Sequence, residues 1–312
     1  MENLVLSINA VLPLFFMMSI GFVLRRMGLF DDHTLRKMNK IIFNVFFPMV
    51  MFSNIYSHDI MEAFNPKLLI FGIVTAFVIF FSAVGIVTRF VKDNPTRGVL
   101  IQAQFRSNFI LFALPVLSYI YGETNVGEAY IMIAIIVPMY NALAVVTFEM
   151  YRSAKFSIKK ILIGISTNPI IIGTIIALIV KFANFTLPYF LDRTVTDLSK
   201  VTTPMALVIL GGFFDFSATK RWLKYSLLAS LSKLVLIPAI LVPVAMLFGF
   251  RGVSLATLFI MFGAPLAVSS FTMAIEMEGN GELACQIVVF SSLGAILTFF
   301  LWIFLLRTTA LI

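Results

Sequence analysis

The sequence predicts an all-α polytopic membrane protein. Three observations carry that prediction: 60% of its 312 residues are hydrophobic, only 12% are charged, and the charges fall in short gaps between long apolar runs. Soluble domains hold roughly 45–50% apolar and about 25% charged residues. A soluble fold of this length could not hide so much apolar surface, so the bilayer must act as solvent.

A spanning helix needs about 20 apolar residues. Ten runs meet or approach that length: residues 3–24, 41–57, 68–88, 98–121, 129–148, 161–180, 198–214, 225–250, 252–275 and 283–306, numbered spans 1–10. Spans 3, 5 and 10 contain no charge within those bounds. Span 7 is marginal, because an apolar stretch of only about 14 residues, short of the usual 20, lies between Lys200 and Asp215.

Positive charge orients the bundle. Arg25, Arg26, Arg36, Lys37, Lys40, Arg89, Lys92, Arg97, Arg152, Lys155, Lys159, Lys160, Lys220, Arg221 and Lys224 all fall on one side, which makes it cytoplasmic. Both termini then face the outer side of an inner membrane. Glu2 and Asn3 precede the first run and Arg25–Arg26 follow it, the reverse of a cleavable signal. The net charge of +8 is therefore read as a topology signal, and no nucleic-acid partner is expected.

Several chemistries lack their residues. Cys285 is the sole cysteine, and His33 and His58 fall in loops on opposite sides, so neither a disulfide nor a metal site is expected. No P-loop lysine motif occurs, and there is no paired-aspartate, Ser–Lys or His-Glu-x-x-His arrangement for an intramembrane protease or metalloenzyme. No enzyme activity, metal or other cofactor is expected. No carboxylate sits near the middle of a span, which leaves the coupling ion open.

The chain divides into residues 1–151 and 161–312, two five-helix halves. An odd number of helices per half inverts the second relative to the first, a common construction of secondary transporters. Phe112-Ala113-Leu114-Pro115-Val116 in span 4 resembles Phe262-Gly263-Ala264-Pro265-Leu266 in span 9, and Pro13 and Pro48 pair with Pro169 and Pro204. Interior prolines remove a helix hydrogen bond. Paired interruptions at equivalent positions point to a transporter's binding site. Spans 4 and 9 are thus expected to break at Pro115 and Pro265 and cross. Their half-helix N-termini would face a carboxylate.

Polar residues inside the spans extend this picture. Asn108 lies two turns before Pro115 and is expected to hydrogen-bond the substrate. Ser269 and Ser270 lie one turn beyond Pro265. Asn44 with Pro48 either lines the cavity or satisfies a kinked backbone; the latter reading is preferred for Asn141 beside Pro138. Arg106 either draws anions inward or snorkels to the interface. Lys233, beside Ser230 and Ser232, either neutralises a half-helix C-terminus or snorkels.

These motifs together resemble the auxin efflux carrier superfamily, which includes plant auxin transporters and bacterial malate and malonate permeases. Ser107-Asn108 followed by Ala113-Leu114-Pro115 is similar to that family's span 4 signature, and Gly263-Ala264-Pro265 to its span 9 crossover. Met38-Asn39-Lys40 through Pro48, Phe148-Glu149-Met150-Tyr151-Arg152, Asn168-Pro169 and Pro204-Met205-Ala206-Leu207 with Gly211 resemble its other helices. The resemblance implies ten helices in inverted repeats, alternating access, a homodimer and a small organic anion as substrate. The short loop after span 5 matches bacterial members. A membrane sensor that binds the anion without moving it is the alternative reading.

Overall fold

The computed structural model describes residues 2–56, 64–122, 126–152 and 158–312. His58, residues 123–125 and Lys155 lie outside them. Among the described residues the fold is helical throughout, with no strand. In chain order the helices are α1 (Glu2–Arg26), α2 (Asp32–Ile41), α3 (Phe47–Tyr56), α4 (Pro66–Phe90), α5 (Asn94–Phe105), α6 (Phe109–Tyr121), α7 (Gly127–Arg152) and α8 (Ile158–Thr167). They continue with α9 (Pro169–Phe182), α10 (Tyr189–Phe213), α11 (Phe216–Leu231), α12 (Ile237–Leu247), α13 (Gly252–Gly263), α14 (Ser269–Glu276) and α15 (Gly281–Thr308). Six continuous or nearly continuous stretches are long and apolar enough to cross a membrane: Asp32–Tyr56, Pro66–Phe90, Asn94–Tyr121, Gly127–Arg152, Phe216–Leu247 and Gly281–Thr308. Pro169–Phe182 and Gly252–Gly263 are shorter apolar helices.

Local chemistry explains the boundaries. Asp31, Asn65, Asp93, Asn168, Asp215 and Asn280 each accept a backbone amide at a helix start, the N-cap geometry these side chains favour. Pro66, Pro95 and Pro169 occupy first-turn positions, where a missing amide costs nothing. Spans 2 and 8 widen into π-turns at Ile42–Phe46 and Ser232–Leu236. Each sits just ahead of a proline, Pro48 or Pro238, whose ring clashes with the preceding turn. Trp302 Nε1 donates to the Leu234 carbonyl at 3.2 Å, the acceptor that Pro238 leaves without its helical partner. Span 7 is longer than expected. It begins at Tyr189, and its first turns carry Asp192 with the exposed Arg193–Asp197 pair at 2.8 Å.

The expected break at Pro115 is corrected. Pro115 lies inside α6, exposed, and the interruption falls at Arg106-Ser107-Asn108. A helix opens where its freed backbone groups find partners. The polar run at 106–108 supplies them, whereas Pro115, in the middle of α6, deletes a single hydrogen bond and leaves the helix continuous. Span 9 opens at residues 264–268, which contain Pro265 as expected. Span 6 is also interrupted, at Asn168, where the side chain caps α9.

Contacts sort the helix ends into two groups. At one end Arg25 pairs with Asp32 (2.7 Å), Arg152 with Glu278 (2.6 Å), and the Asn280 amide with the Pro95 carbonyl (3.2 Å). At the other, Asn65 and Ser254 both bond Glu128, Tyr56 bonds the Leu187 amide, and Gly252 bonds the Leu311 carbonyl. The Arg152–Glu278 pair is half in solvent, and exposed ion pairs contribute about 0–1 kcal/mol. Arg152→Ala is expected to lower the melting temperature of detergent-purified protein by only a degree or two, on the scale of about 1 kcal/mol.

Between the ends, large apolar side chains line the outside of the bundle. Ile70, Val74, Phe77 and Phe81 form an exposed stripe on α4, as Leu293, Leu297 and Leu301 do on α15. Such surface would aggregate in water and suits acyl chains. The interior packs phenylalanines, among them Phe105, Phe112, Phe259 and Phe299. Helices α1 and α10 approach until backbones touch. A Cβ at Gly21 would stand 1.8 Å from the Val208 carbonyl oxygen, and one at Gly211 1.9 Å from that of Met18.

Candidate functional site

The two mid-span interruptions meet. The Asn108 amide donates to the Pro265 carbonyl at 2.7 Å, Ser107 Oγ to the Met261 carbonyl at 2.9 Å, and Gln102 Nε2 to the Ser270 carbonyl at 3.1 Å. On the second segment, the Leu266 amide donates to Ser291 Oγ at 3.1 Å. Backbone groups released by one break are thus satisfied by the other, the condition for irregular chain at membrane depth.

Against this joint lies a cavity of about 80 Å³, lined by Arg106, Asn108, Asn141, Thr203 and Ser269 among apolar residues of α3, α6, α7 and α10. A buried site needs about 10–15 Å³ per water, so the space takes several waters or one small carboxylate. Among the described residues no Asp or Glu lines it.

Arg106 dominates the cavity. It is 2% exposed, so snorkelling does not occur. One terminal nitrogen donates to Asn141 Oδ1 at 2.5 Å and Ser269 Oγ at 2.7 Å; the other contacts Met273 Sδ. All three partners are uncharged. The guanidinium has five donors, and these contacts leave part of the fork unused. Asn108 stands at the N-cap of α6, yet its side chain makes no capping bond, and its Nδ2 is buried without an acceptor among the described residues. Phe109, Ile110 and Leu111, the first residues of α6, also line the cavity. Opening amides of a helix lack intrahelical partners and carry the positive end of its dipole. The cavity therefore presents donors and positive charge, a combination suited to a carboxylate.

The other expected site residues are distributed differently. Ser269 lies in the cavity. Ser270, completely buried, points elsewhere and contributes its carbonyl to Gln102. Pro265 supplies the carbonyl that holds Asn108 rather than lining the space. Pro115 is on the outside of α6. Pro48 packs on α9, where a Cβ at Gly173 would come within 2.8 Å of its backbone. Asn44 donates to the Lys40 carbonyl at 2.7 Å and lines a larger vestibule of about 720 Å³ together with Lys40, Glu149, Arg152, Glu276 and Glu278. Lys233 is 1% exposed and so does not snorkel; it lies outside the cavity.

Asn141 departs from its expected role. It orients Arg106 and bonds Met51 Sδ rather than the backbone near Pro138. The sequence carries a signal for it, since an amide amid the apolar residues of span 5 needs a polar partner. Spacing alone does not identify Arg106 as that partner.

Vestibule and cavity lie along one line. Phe43 lines the vestibule and Phe47, one turn on, the cavity; Glu276 and Ser269 are related by two turns of α14. At 1.5 Å per residue the two spaces are about 6–10 Å apart.

Comparison with known proteins agrees with this architecture. The sequence profile of the Mem_trans family, described as membrane transport protein, matches residues 6–160 and 151–303. An uncharacterized transporter, MJ1031, of Methanocaldococcus jannaschii is 20% identical over 304 residues, covering 95% of this chain and 98% of its own. The uncharacterized transporter YfdV of Escherichia coli K12 is 25% identical over 318 aligned positions, covering 96% and 98%. A third uncharacterized transporter, of Methanothermobacter thermautotrophicus, is 20% identical over 302 residues, covering 95% and 97%. With apolar spans built around paired interruptions and a profile match across nearly its whole length, the chain belongs to the Mem_trans family of multi-pass membrane transporters, the auxin efflux carrier family that its motifs resemble.

Proposed function

We propose that this protein is a secondary transporter for a small organic anion. The observation that carries the proposal is a fully buried guanidinium whose protein partners are all neutral, facing a cavity with no acidic residue among those described. A cation at membrane depth is costly and rare outside functional sites. A substrate carboxylate supplies the missing charge, held by Arg106, Asn108 and the opening amides of α6, with Ser269 at the cavity edge. Malate, malonate and auxin-like acids fit this class.

In this reading the chain crosses the inner membrane ten times, as two inverted five-helix repeats with termini outside, and spans 4 and 9 form the crossover. The two sets of end contacts support an alternating path. The vestibule beside Lys40 and Arg152 is the cytoplasmic approach, and rocking about the joint opens the cavity alternately to each side. In this reading the protein works as a homodimer and moves its substrate chemically unchanged.

The test is counterflow of radiolabelled malate, malonate and indoleacetate in proteoliposomes. Wild type is expected to exchange at least one of them. Asn108→Ala is expected to slow exchange by roughly ten- to a hundred-fold, the loss of one hydrogen bond of about 1.5–3 kcal/mol to a charged group. Unchanged exchange in the variant removes Asn108 from the site. Ligand-induced thermal stabilisation without flux makes the protein a sensor instead.

A further inference from the structure

Span 8 contains a buried amine that the anion site does not use. Lys233 sits in the π-turn Ser232–Leu236, and its Nζ has no hydrogen-bond partner among the described residues. Ser230 and Ser226 lie one and two turns earlier on the same helix face. Both are buried, and both hydroxyls also lack partners there. Buried polar groups are ordinarily paired with protein or ordered water. Here three such groups stand in a row on one helix face.

The surroundings favour a positive charge. The π-turn packs on α5, α11, α12, α13 and α15. Helices α5 and α13 both end at the joint, at Phe105 and Gly263, so their terminal carbonyls and negative dipole ends gather there. Pro238, beyond the π-turn, lies close to Gly263: a Cβ on that glycine would be 3.6 Å from Pro238 Cγ. The Arg106 cavity draws no residue from α11, α12, α13, α15 or the π-turn, so Lys233 stands behind the joint rather than in the cavity. Half-helix C-termini are where carriers hold a coupling sodium ion or proton.

Among the described residues no other charged side chain competes for this position. On α5, Arg97 is held by the Val91 and Thr88 carbonyls and Asn94, and the C-cap Arg106 turns to Asn141 and Ser269. Lys220, Arg221, Lys224 and Tyr225 occupy the first turns of α11. On α15, Glu282 is engaged by Arg221 and Trp222, the Cys285 thiol contacts the Leu210 carbonyl, and Arg307 is in the last turn. Helices α12 and α13 carry no titratable group. An amine gains and loses a proton where a guanidinium stays charged, so Lys233 is the group here able to exchange one.

We propose that Lys233 is the proton site that couples a pH gradient to anion movement. A proton from one aqueous side binds Nζ, crosses with the carboxylate and is released to the other side, with Ser230 and Ser226 relaying it at the end where Lys220 and Lys224 lie. The inference rests on the transport reading above. Its test uses the same proteoliposomes and acids in two assays, counterflow at equal pH and net accumulation driven by an imposed pH gradient with the membrane potential clamped.

Wild type is expected to do both. Lys233→Met and Lys233→Arg are each expected to keep counterflow within about two-fold and to lose gradient-driven accumulation by roughly ten-fold or more, within the usual range of coupling between two sites. The arginine variant retains size and charge, so it reports on proton exchange even where the methionine variant fails to fold. Accumulation that still follows the pH gradient in Lys233→Arg overturns the proposal, as does wild-type counterflow that no pH gradient drives. Absence of counterflow for every acid brings down the transport reading itself, a separate result.

Discussion

Arg106→Gln is expected to reduce organic-anion counterflow by roughly ten- to a hundred-fold while leaving the protein as stable as before or more so. The transport loss follows from the charge-assisted hydrogen bond that the guanidinium makes to a carboxylate, about 1.5–3 kcal/mol, with each 1.4 kcal/mol worth about ten-fold. The stability follows from the opposite consideration. The cation is 2% exposed and its protein partners are Asn141, Ser269 and Met273, none of which carries charge. An uncompensated cation costs roughly 2.5–3.5 kcal/mol at membrane depth on insertion scales. Glutamine removes that cost and keeps an uncharged hydrogen-bonding group at the cavity. A residue retained for folding would show the reverse pattern, with lower melting and residual exchange. Arg106→Lys is expected to fall between, keeping the charge but losing the planar fork. The measurements are counterflow rate and detergent melting temperature on the same preparations, and undiminished exchange in Arg106→Gln would sink the assigned role.

Gly211→Ala is expected to lower the melting temperature sharply. Its new Cβ would stand 1.9 Å from the Met18 carbonyl oxygen and 2.6 Å from the carbonyl carbon. Those are backbone atoms of α1, so no side chain can rotate aside and α1 must move away from α10. Overpacking typically costs about 1–3 kcal/mol and sometimes more; a backbone obstacle places this site at the upper end, about 3 kcal/mol. Gly21, facing the Val208 carbonyl at 1.8 Å, makes the reciprocal contact. Once one variant has separated the helices the second adds less, so the pair should be non-additive. Gly85 in α4 is the control, since nothing lies within 4 Å of a Cβ there. Alanine at that position is expected to be neutral or stabilising by up to about 1 kcal/mol. Equal melting of Gly211→Ala and wild type would mean that the α1–α10 contact is looser than described.

Much of the architecture is legible from hydropathy because the bilayer imposes it. Each spanning segment must be apolar and must satisfy its own backbone, so the apolar runs mark the helices and their approximate bounds. Span 7 shows the limit of that logic. Helix α10 begins at Tyr189, ahead of the predicted start at Leu198, because charged turns such as Arg193–Asp197 extend beyond the apolar layer.

The proline pattern marks span 9 correctly, where Pro265 lies in the interruption, and misplaces the one in span 4. Pro115 stays helical in the middle of α6, because one lost hydrogen bond inside a membrane helix is tolerated. Arg106-Ser107-Asn108 opens because Met261 and Pro265, more than 150 residues further along the chain, offer carbonyls to Ser107 and Asn108. A separation of 35 residues likewise hides the role of Asn141, which becomes part of the site only when α7 packs beside the joint.

Residue types and their order are enough to establish that this chain lives in a membrane, that its spans are helices, and that polar residues cluster in span 4. Each follows from the cost of placing a given side chain in hydrocarbon. Which of those polar residues face one cavity, where the backbone opens, and that the buried guanidinium has neutral neighbours emerge only from the packed bundle. Those outcomes depend on partners supplied by distant helices, and a local pattern of residues carries no record of which distant group will meet it.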